Sequence, residues 1–275
     1  MQNLLEIIPI PAFKDNYIWL LRFGENAVVV DPGDAAPVIR LLHRLSLNLT
    51  AILITHHHSD HIGGVHDLLS YHRINHQNAI TKNINVYAPR LEHYDFPHIA
   101  LDDLSQVKLP EIHQTFNVMS IPGHTLGHIA YYNAPNLFCG DTLFGAGCGR
   151  LFEGTPAQML QSLQRLAALP SATQVYCTHE YTLHNIDFAL NLEPNNAALI
   201  QRKVEAQALR AQGLPTLPSN IELELKTNPF LRCNQLEIIH NISIKNTSRN
   251  TNNIAEDFND VLSVFTQARE MRNSF

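Results

Sequence analysis

A chain of 275 residues, 45% hydrophobic and 16% charged, has the composition of a globular protein with room for one large domain or two modest ones. Its formal net charge of −6 and the lack of a long basic run argue against bulk attraction to nucleic acid or an anionic membrane, so an anionic ligand must meet locally placed Arg or Lys. None of the four cysteines forms a CxxC pair, and the chain shows neither a signal-peptide pattern nor a membrane-span-length apolar run; the expectation is a cytoplasmic protein with reduced thiols.

In chain order, "YIWLLRF" (17–23) and "AVVVD" (27–31) read as strands around the turn "GEN". "DPGDAAPVIRLLHRL" is a turn followed by a helix. "TAILITH" (50–56) is a short β-branched run, read as a buried strand, and "VHDLLSYHRI" resumes a helical period. Further strands are expected at "INVYAP" (84–89), "FNVMSIPG" (116–123), "HIAYYN" (128–133) and "LFCGD" (137–141). "TPAQMLQSLQRLAALP" (155–170) is a helix, with Thr155 as N-cap, Pro156 at the first position and Gln158 completing a capping box. "QVYCTH" (174–179) is one more strand. The character then changes: a long helix is expected over 193–213, a polar surface loop over 241–253 and an amphipathic helix over 254–272. A domain boundary therefore falls near residue 180, between a strand-and-helix part, 1–179, and a mostly helical part, 180–275.

Histidine is the compositional outlier, with 16 residues. "LITHHHSDHIGG" (53–64) concentrates His56, His57, His58, Asp60 and His61 just after a predicted strand. In an extended segment alternate side chains share a face, so His56, His58 and Asp60 lie on one side and His57 and Ser59 on the other. A turn at Asp60 and Gly63-Gly64 lets His61 swing toward a neighbouring point. Imidazole and carboxylate donors suit zinc, iron or manganese. His124 and His128 in "PGHTLGH", Asp141 in "CGD" and His179 in "CTHEY" also sit where strands yield to loops, the end at which open sheets gather their sites. His128, at the start of an apolar strand, is the weakest of these candidates.

"THHHSDHIGG", "PGHTLGH", "FCGDTLFGAGCGR" and "CTHEY", in this order, resemble the metallo-β-lactamase superfamily. With "FKDNYIWLL", "TNPFLR" and "AREMRNSF" they resemble, within it, the glyoxalase II (hydroxyacylglutathione hydrolase) family over nearly the whole chain. The resemblance implies an α/β fold, an αββα sandwich with a C-terminal mostly helical domain. It implies two divalent ions per chain, zinc or else iron or manganese. His56, His58 and His124 would hold one, Asp60, His61 and His179 the other, and Asp141 both, together with a metal-bridging hydroxide. The implied reaction is hydrolysis of S-D-lactoylglutathione and related thioesters, the second step of methylglyoxal detoxification, in a monomer that binds neither nucleic acid nor membrane. Asp60 could accept a proton. The thiol leaving group has a pKa of about 8.5 and needs no dedicated general acid.

The family's glutathione contacts fall here on Arg150, Tyr181, Arg269 and Arg272. Arg150 and Arg272 stand where relatives often have Lys, and Phe152 where many have Tyr, which removes one hydroxyl contact. Other members of the superfamily fit less well. A persulfide dioxygenase would not need Asp60, His61 and His179 for a second ion. A nuclease would need a basic surface, and a lactonase or β-lactamase would leave the C-terminal arginines unexplained.

Overall fold

The computed structural model describes residues 4–75, 84–249 and 260–275. Strand β1 (Glu6–Ala12) carries Pro9 and Pro11 and lies at the edge of its sheet, where missing N–H donors are tolerated. It pairs antiparallel with β2 (Asn16–Phe23), which turns at Gly24 (φ 59°) into β3 (Asn26–Val30), the hairpin expected around "GEN". Helix α1 (Ala35–Leu45) is capped by Asp34, whose carboxylate accepts from the Ala36 N–H, and crosses to β4 (Asn48–Leu53), parallel to β3. The single turn α2 (Ser59–Ile62) and helix α3 (Val65–Asn75) follow. Strands β5 (Asn85–Pro89) and β6 (Ile99–Leu101) then extend the sheet in parallel to give the order β1-β2-β3-β4-β5-β6. Leu20, Val29 and Ile52 of this sheet share a buried cluster with Val38 and Leu42 of α1 and Leu68 of α3.

Strands β7 (Gln106–Leu109), β8 (Gln114–Ser120), β9 (Ile129–Asn133) and β10 (Asn136–Gly140) run antiparallel in sequence order. Buried Tyr131 on β9 joins the two sheets. Its hydroxyl donates to the Ile54 carbonyl at 2.8 Å and lies 3.1 Å from that of Tyr87. Burial pushes this phenol's pKa well up, so it remains a donor. These elements form one compact unit, residues 1–120 and 126–140.

Residues 121–125 and 141–275 form a second unit. It contains the short hairpin β11 (Leu143–Phe144) and β12 (Gly147–Cys148), then α4 (Pro156–Ala167) with the expected capping box between Thr155 and Gln158. Strand β13 (Gln174–Cys177) precedes α5 (Thr182–Leu192) and α6 (Ala197–Ala211). Strand β14 (Ser219–Asn220) pairs back with β13, and α7 (Ile221–Thr227), α8 (Leu236–Arg249) and α9 (Val261–Asn273) complete the unit. Ile186 and Ala189 of α5, Leu199 and Ala206 of α6 and Ala146 of the hairpin share one apolar cluster.

The helical half departs from the sequence expectations in four places. The helix expected over 193–213 begins only at Ala197. Asn196 caps it by accepting the Leu199 N–H at 3.1 Å, while Glu193 is engaged by the Arg232 guanidinium at 2.8 and 2.7 Å. The loop expected over 241–253 is helical as far as Arg249, and residues 250–253 lie outside the described residues. Ile238 and Ile242, four apart, are fully buried there, and Asn241 donates to the Leu192 carbonyl at 2.9 Å. The final helix starts at Val261 behind Asp260, which accepts the Ser263 N–H at 2.9 Å; residues 254–259 lie outside the described residues. Helix α5 was not expected at all.

Candidate metal centre

In the first unit the chain turns where β4 ends. The Thr55 N–H and hydroxyl donate to the two oxygens of Asp31 at 2.8 and 2.7 Å, and His61 Nδ1 reaches the same carboxylate at 3.0 Å. Asp31 thus engages one ring nitrogen of buried His61 and directs the other, Nε2, toward Asp60 Oδ2 at 3.7 Å. Asp60 Oδ2 also accepts the Asn16 side-chain amide at 3.0 Å. His56 Nε2 and His58 Nδ1 lie 3.0 Å apart, and His57 faces Glu92, with Nδ1 3.3 Å from Oε2. The expected alternation therefore holds for residues 56–58. It stops at Ser59, where α2 takes over, so Asp60 and His61 are placed by a helical turn instead. His128 is buried with its ring stacked on His56 at 4.6 Å, and its Nδ1–H donates to the Ile129 carbonyl at 3.1 Å.

In the second unit Asp141 stands between two imidazoles. Its Oδ2 lies 3.4 Å from His124 Nε2 and 3.2 Å from His179 Nε2, and all three side chains are buried. The His124 Nδ1–H donates to the Arg150 carbonyl at 2.8 Å, which turns Nε2 toward Asp141. The loop from 141 to 150 closes tightly on itself. A Cβ on Gly149 would come within 1.9 Å of the Asp141 carbonyl oxygen, so only glycine fits there. His179 and Tyr181 stack face to face at 4.7 Å with an interplanar angle of 1°.

The three arginines singled out in the sequence belong to this second unit. Arg269 is 4% exposed; its Nη1 donates to the Cys148 carbonyl at 2.8 Å and its Nη2 to Asn273 Oδ1 at 3.1 Å. Arg272 donates through Nη2 and Nε to Asn185 Oδ1 at 3.0 and 3.3 Å. Burial, then the positive charges of Arg269 and Arg150, lowers the Arg272 pKa. Arg150 is exposed.

The sequence reading missed Asp31, Asn16 and Asn185, which hold these groups in place. Asp31 had a signal, since "VVVDPG" puts a carboxylate at a strand end like the other candidates. Asn16 lies in the quoted stretch "FKDNYIWLL" but was given no role there, and Asn185 had no signal. The imidazole and carboxylate donors suit divalent zinc, iron or manganese, and burying so many charged or polar side chains together is costly without a cation to bind them.

Residues 13–179 match the family model described as metallo-beta-lactamase superfamily, and residues 180–275 the model described as hydroxyacylglutathione hydrolase C-terminus. The crystal structure of ETHE1 from Myxococcus xanthus shares the fold, with a TM-score of 0.59 at 23% identity, covering 98% of this chain and 99% of that one. Fold and donor set together define a metal-binding protein of the metallo-β-lactamase superfamily, with the mostly helical C-terminal region expected from the sequence.

The hydroxyacylglutathione hydrolase of Methylobacillus flagellatus is 51% identical over 99% of this chain and 100% of its own length. That of Nitrosomonas eutropha is 45% identical over the same shares. The chain belongs to the hydroxyacylglutathione hydrolase family.

Proposed function

We propose that the protein hydrolyses the thioester of S-D-lactoylglutathione and related S-2-hydroxyacylglutathiones, giving a 2-hydroxy acid and glutathione, as the second step of methylglyoxal detoxification. The observation that carries this reading is full-length similarity to curated hydroxyacylglutathione hydrolases, with all seven candidate donors inside the matched residues 13–179. Residues 1–179 act as the metal-binding catalytic domain and residues 180–275 as the substrate-binding domain, a division supported by the extents of the two family matches.

His56, His58 and His124 would hold one ion, Asp60, His61 and His179 the other, and Asp141 would serve both. Divalent ions bound by these residues would supply hydroxide from water at neutral pH and Lewis-acid polarisation of a thioester carbonyl. The chain supplies the rest. Asn16 fixes the Asp60 carboxylate, which is placed to take a proton. Asp31 and the Arg150 carbonyl fix the ring orientations of His61 and His124. Arg150 and Arg272 meet the glutathione carboxylates as planar cationic forks, and Tyr181, braced flat against His179, presents its phenol to the peptide. Arg269, which the sequence grouped with the glutathione contacts, is buried and serves instead from behind, by holding the Cys148–Arg150 stretch. The glutathione thiolate departs without a general acid, because its pKa is about 8.5.

Among the described residues no helix is long and apolar enough to cross a membrane. We place the protein in the cytoplasm as a monomer that binds no nucleic acid, in keeping with its net charge of −6. The test is loss of the thioester of S-D-lactoylglutathione on protein whose metals have been counted. Fast turnover with two ions per chain is expected. No turnover with two ions bound would remove the substrate assignment.

A further inference from the structure

The geometry points to Asn185 as a positioning residue that aims Arg272 at an anionic group of the substrate without cancelling its charge. This assignment rests on the hydroxyacylglutathione reading above. Asn185 lies in the first turn of α5 and is buried. Both ends of its amide are in use. Nδ2 donates to the Gly145 carbonyl at 3.0 Å, and Oδ1 accepts both Nη2 and Nε of Arg272 at 3.0 and 3.3 Å. The amide lies flush on the hairpin: a Cβ on Gly147 would come within 2.4 Å of Asn185 Nδ2, which excludes any larger residue there. The donor side therefore fixes the side chain to the hairpin, and the acceptor side fixes the guanidinium.

The charge surroundings give this contact its meaning. Arg272 packs over the Phe188 ring, its guanidinium carbon 5.9 Å from the ring centre. Arg269 and Arg150 repel it, and among the described residues no salt bridge joins it to a carboxylate; its side-chain hydrogen bonds go to Asn185 Oδ1. A partly buried cation normally finds an anionic partner, yet here its orienting acceptor is a neutral amide. The guanidinium is held in one direction and keeps its whole positive charge for an arriving carboxylate. Aspartate at 185 would have nearly the same shape and a stronger hold on Arg272. It would also neutralise the cation before substrate arrives and lose the donor to Gly145. Asparagine satisfies both needs.

The experiment compares KM and kcat for S-D-lactoylglutathione in wild type, Asn185→Asp, Asn185→Ala, Arg272→Ala and the Asn185→Ala/Arg272→Ala double variant, with thermal melting of each. Asn185→Asp should raise KM about tenfold, with kcat changed less than about twofold, because the lost interaction is one of substrate binding. Asn185→Ala should raise KM in the wild-type background and add nothing once Arg272 is gone. A merely structural residue would instead change KM independently of Arg272, whatever its effect on melting. An unchanged KM in Asn185→Asp, or effects of Asn185→Ala and Arg272→Ala that multiply in the double variant, would overturn the assignment and leave the hydrolase reading standing. If Asn185→Asp does not fold, the alanine cycle decides alone. A wild type that fails to hydrolyse the thioester would overturn the hydrolase reading, and this assignment would fall with it.

Discussion

Arg269 donates to the Cys148 carbonyl at 2.8 Å and so ties α9 to the β11–β12 hairpin across 121 residues of sequence. Its guanidinium carbon also lies 5.1 Å from the centre of the Phe230 ring. Removing this side chain leaves a buried carbonyl without its donor and a hole beside an aromatic ring. Arg269→Ala should therefore cost about 3 kcal/mol, from the lost charged hydrogen bond and the lost packing together. Thermal melting should fall by several degrees. KM should rise as well, since Arg150 follows Cys148 and Gly149 directly. Arg269→Lys should recover only part of either effect, because an ammonium cannot reproduce the guanidinium's planar fork. A melting temperature equal to wild type would refute this tie.

Asp141 offers a second test. Its Oδ2 is within 3.4 Å of both His124 and His179, so alanine there removes a donor and releases two buried imidazoles from their common partner. Asp141→Ala should bind less than one ion per chain and lose thioester hydrolysis together with the metal. Metal analysis by emission spectroscopy checks the first outcome independently of rate. A variant retaining two ions would contradict the shared position assigned to this carboxylate.

The parts legible in the sequence are those with a local signal. Apolar runs bounded by turns located β2, β3, β4 and β13, and Thr155 with Gln158 marked the start of α4 to the residue. The candidate donors were legible because each sits at or just past a strand end. Asn185 could not be found this way, since its importance lies in two partners, Gly145 and Arg272, 40 and 87 residues away. Helix α8 was hidden by composition. Its Asn, Ser and Thr residues read as loop, while the two buried isoleucines that hold it give too short a pattern to stand out. Asp60 defeated the strand-alternation argument because a helical turn begins one residue earlier, at Ser59.

The capping box of α4 is a stability test that alters no candidate metal ligand. Thr155 Oγ1 accepts the Gln158 N–H at 3.2 Å, and Gln158 Oε1 accepts the Thr155 N–H at 2.9 Å. Thr155→Ala should cost about 1 kcal/mol, while Thr155→Ser should be nearly neutral. Both should leave metal content and KM at wild-type values. Urea titrations of the metal-loaded proteins measure the difference, and equal midpoints for the alanine and serine variants would show that the box contributes nothing.

Phe152 is the position where a change should improve the protein. The residue is 64% exposed, and its ring stands edge-on to His124, with centroids 5.2 Å apart at 73°. Its N–H donates to the His124 carbonyl at 3.2 Å, so the backbone beneath it is already fixed. Adding a hydroxyl to so exposed a ring costs the fold little, and Arg150, two residues earlier, belongs to the surface assigned to glutathione. Phe152→Tyr should therefore lower KM for S-D-lactoylglutathione by up to about tenfold, the scale of one good hydrogen bond. The kcat should stay within about twofold, because the contact is made equally in the ground and transition states. Glutathione should become a stronger product inhibitor by the same factor. A lower KM without that parallel change in inhibition would place the new hydroxyl against the acyl group, and no change in either would move glutathione away from residue 152.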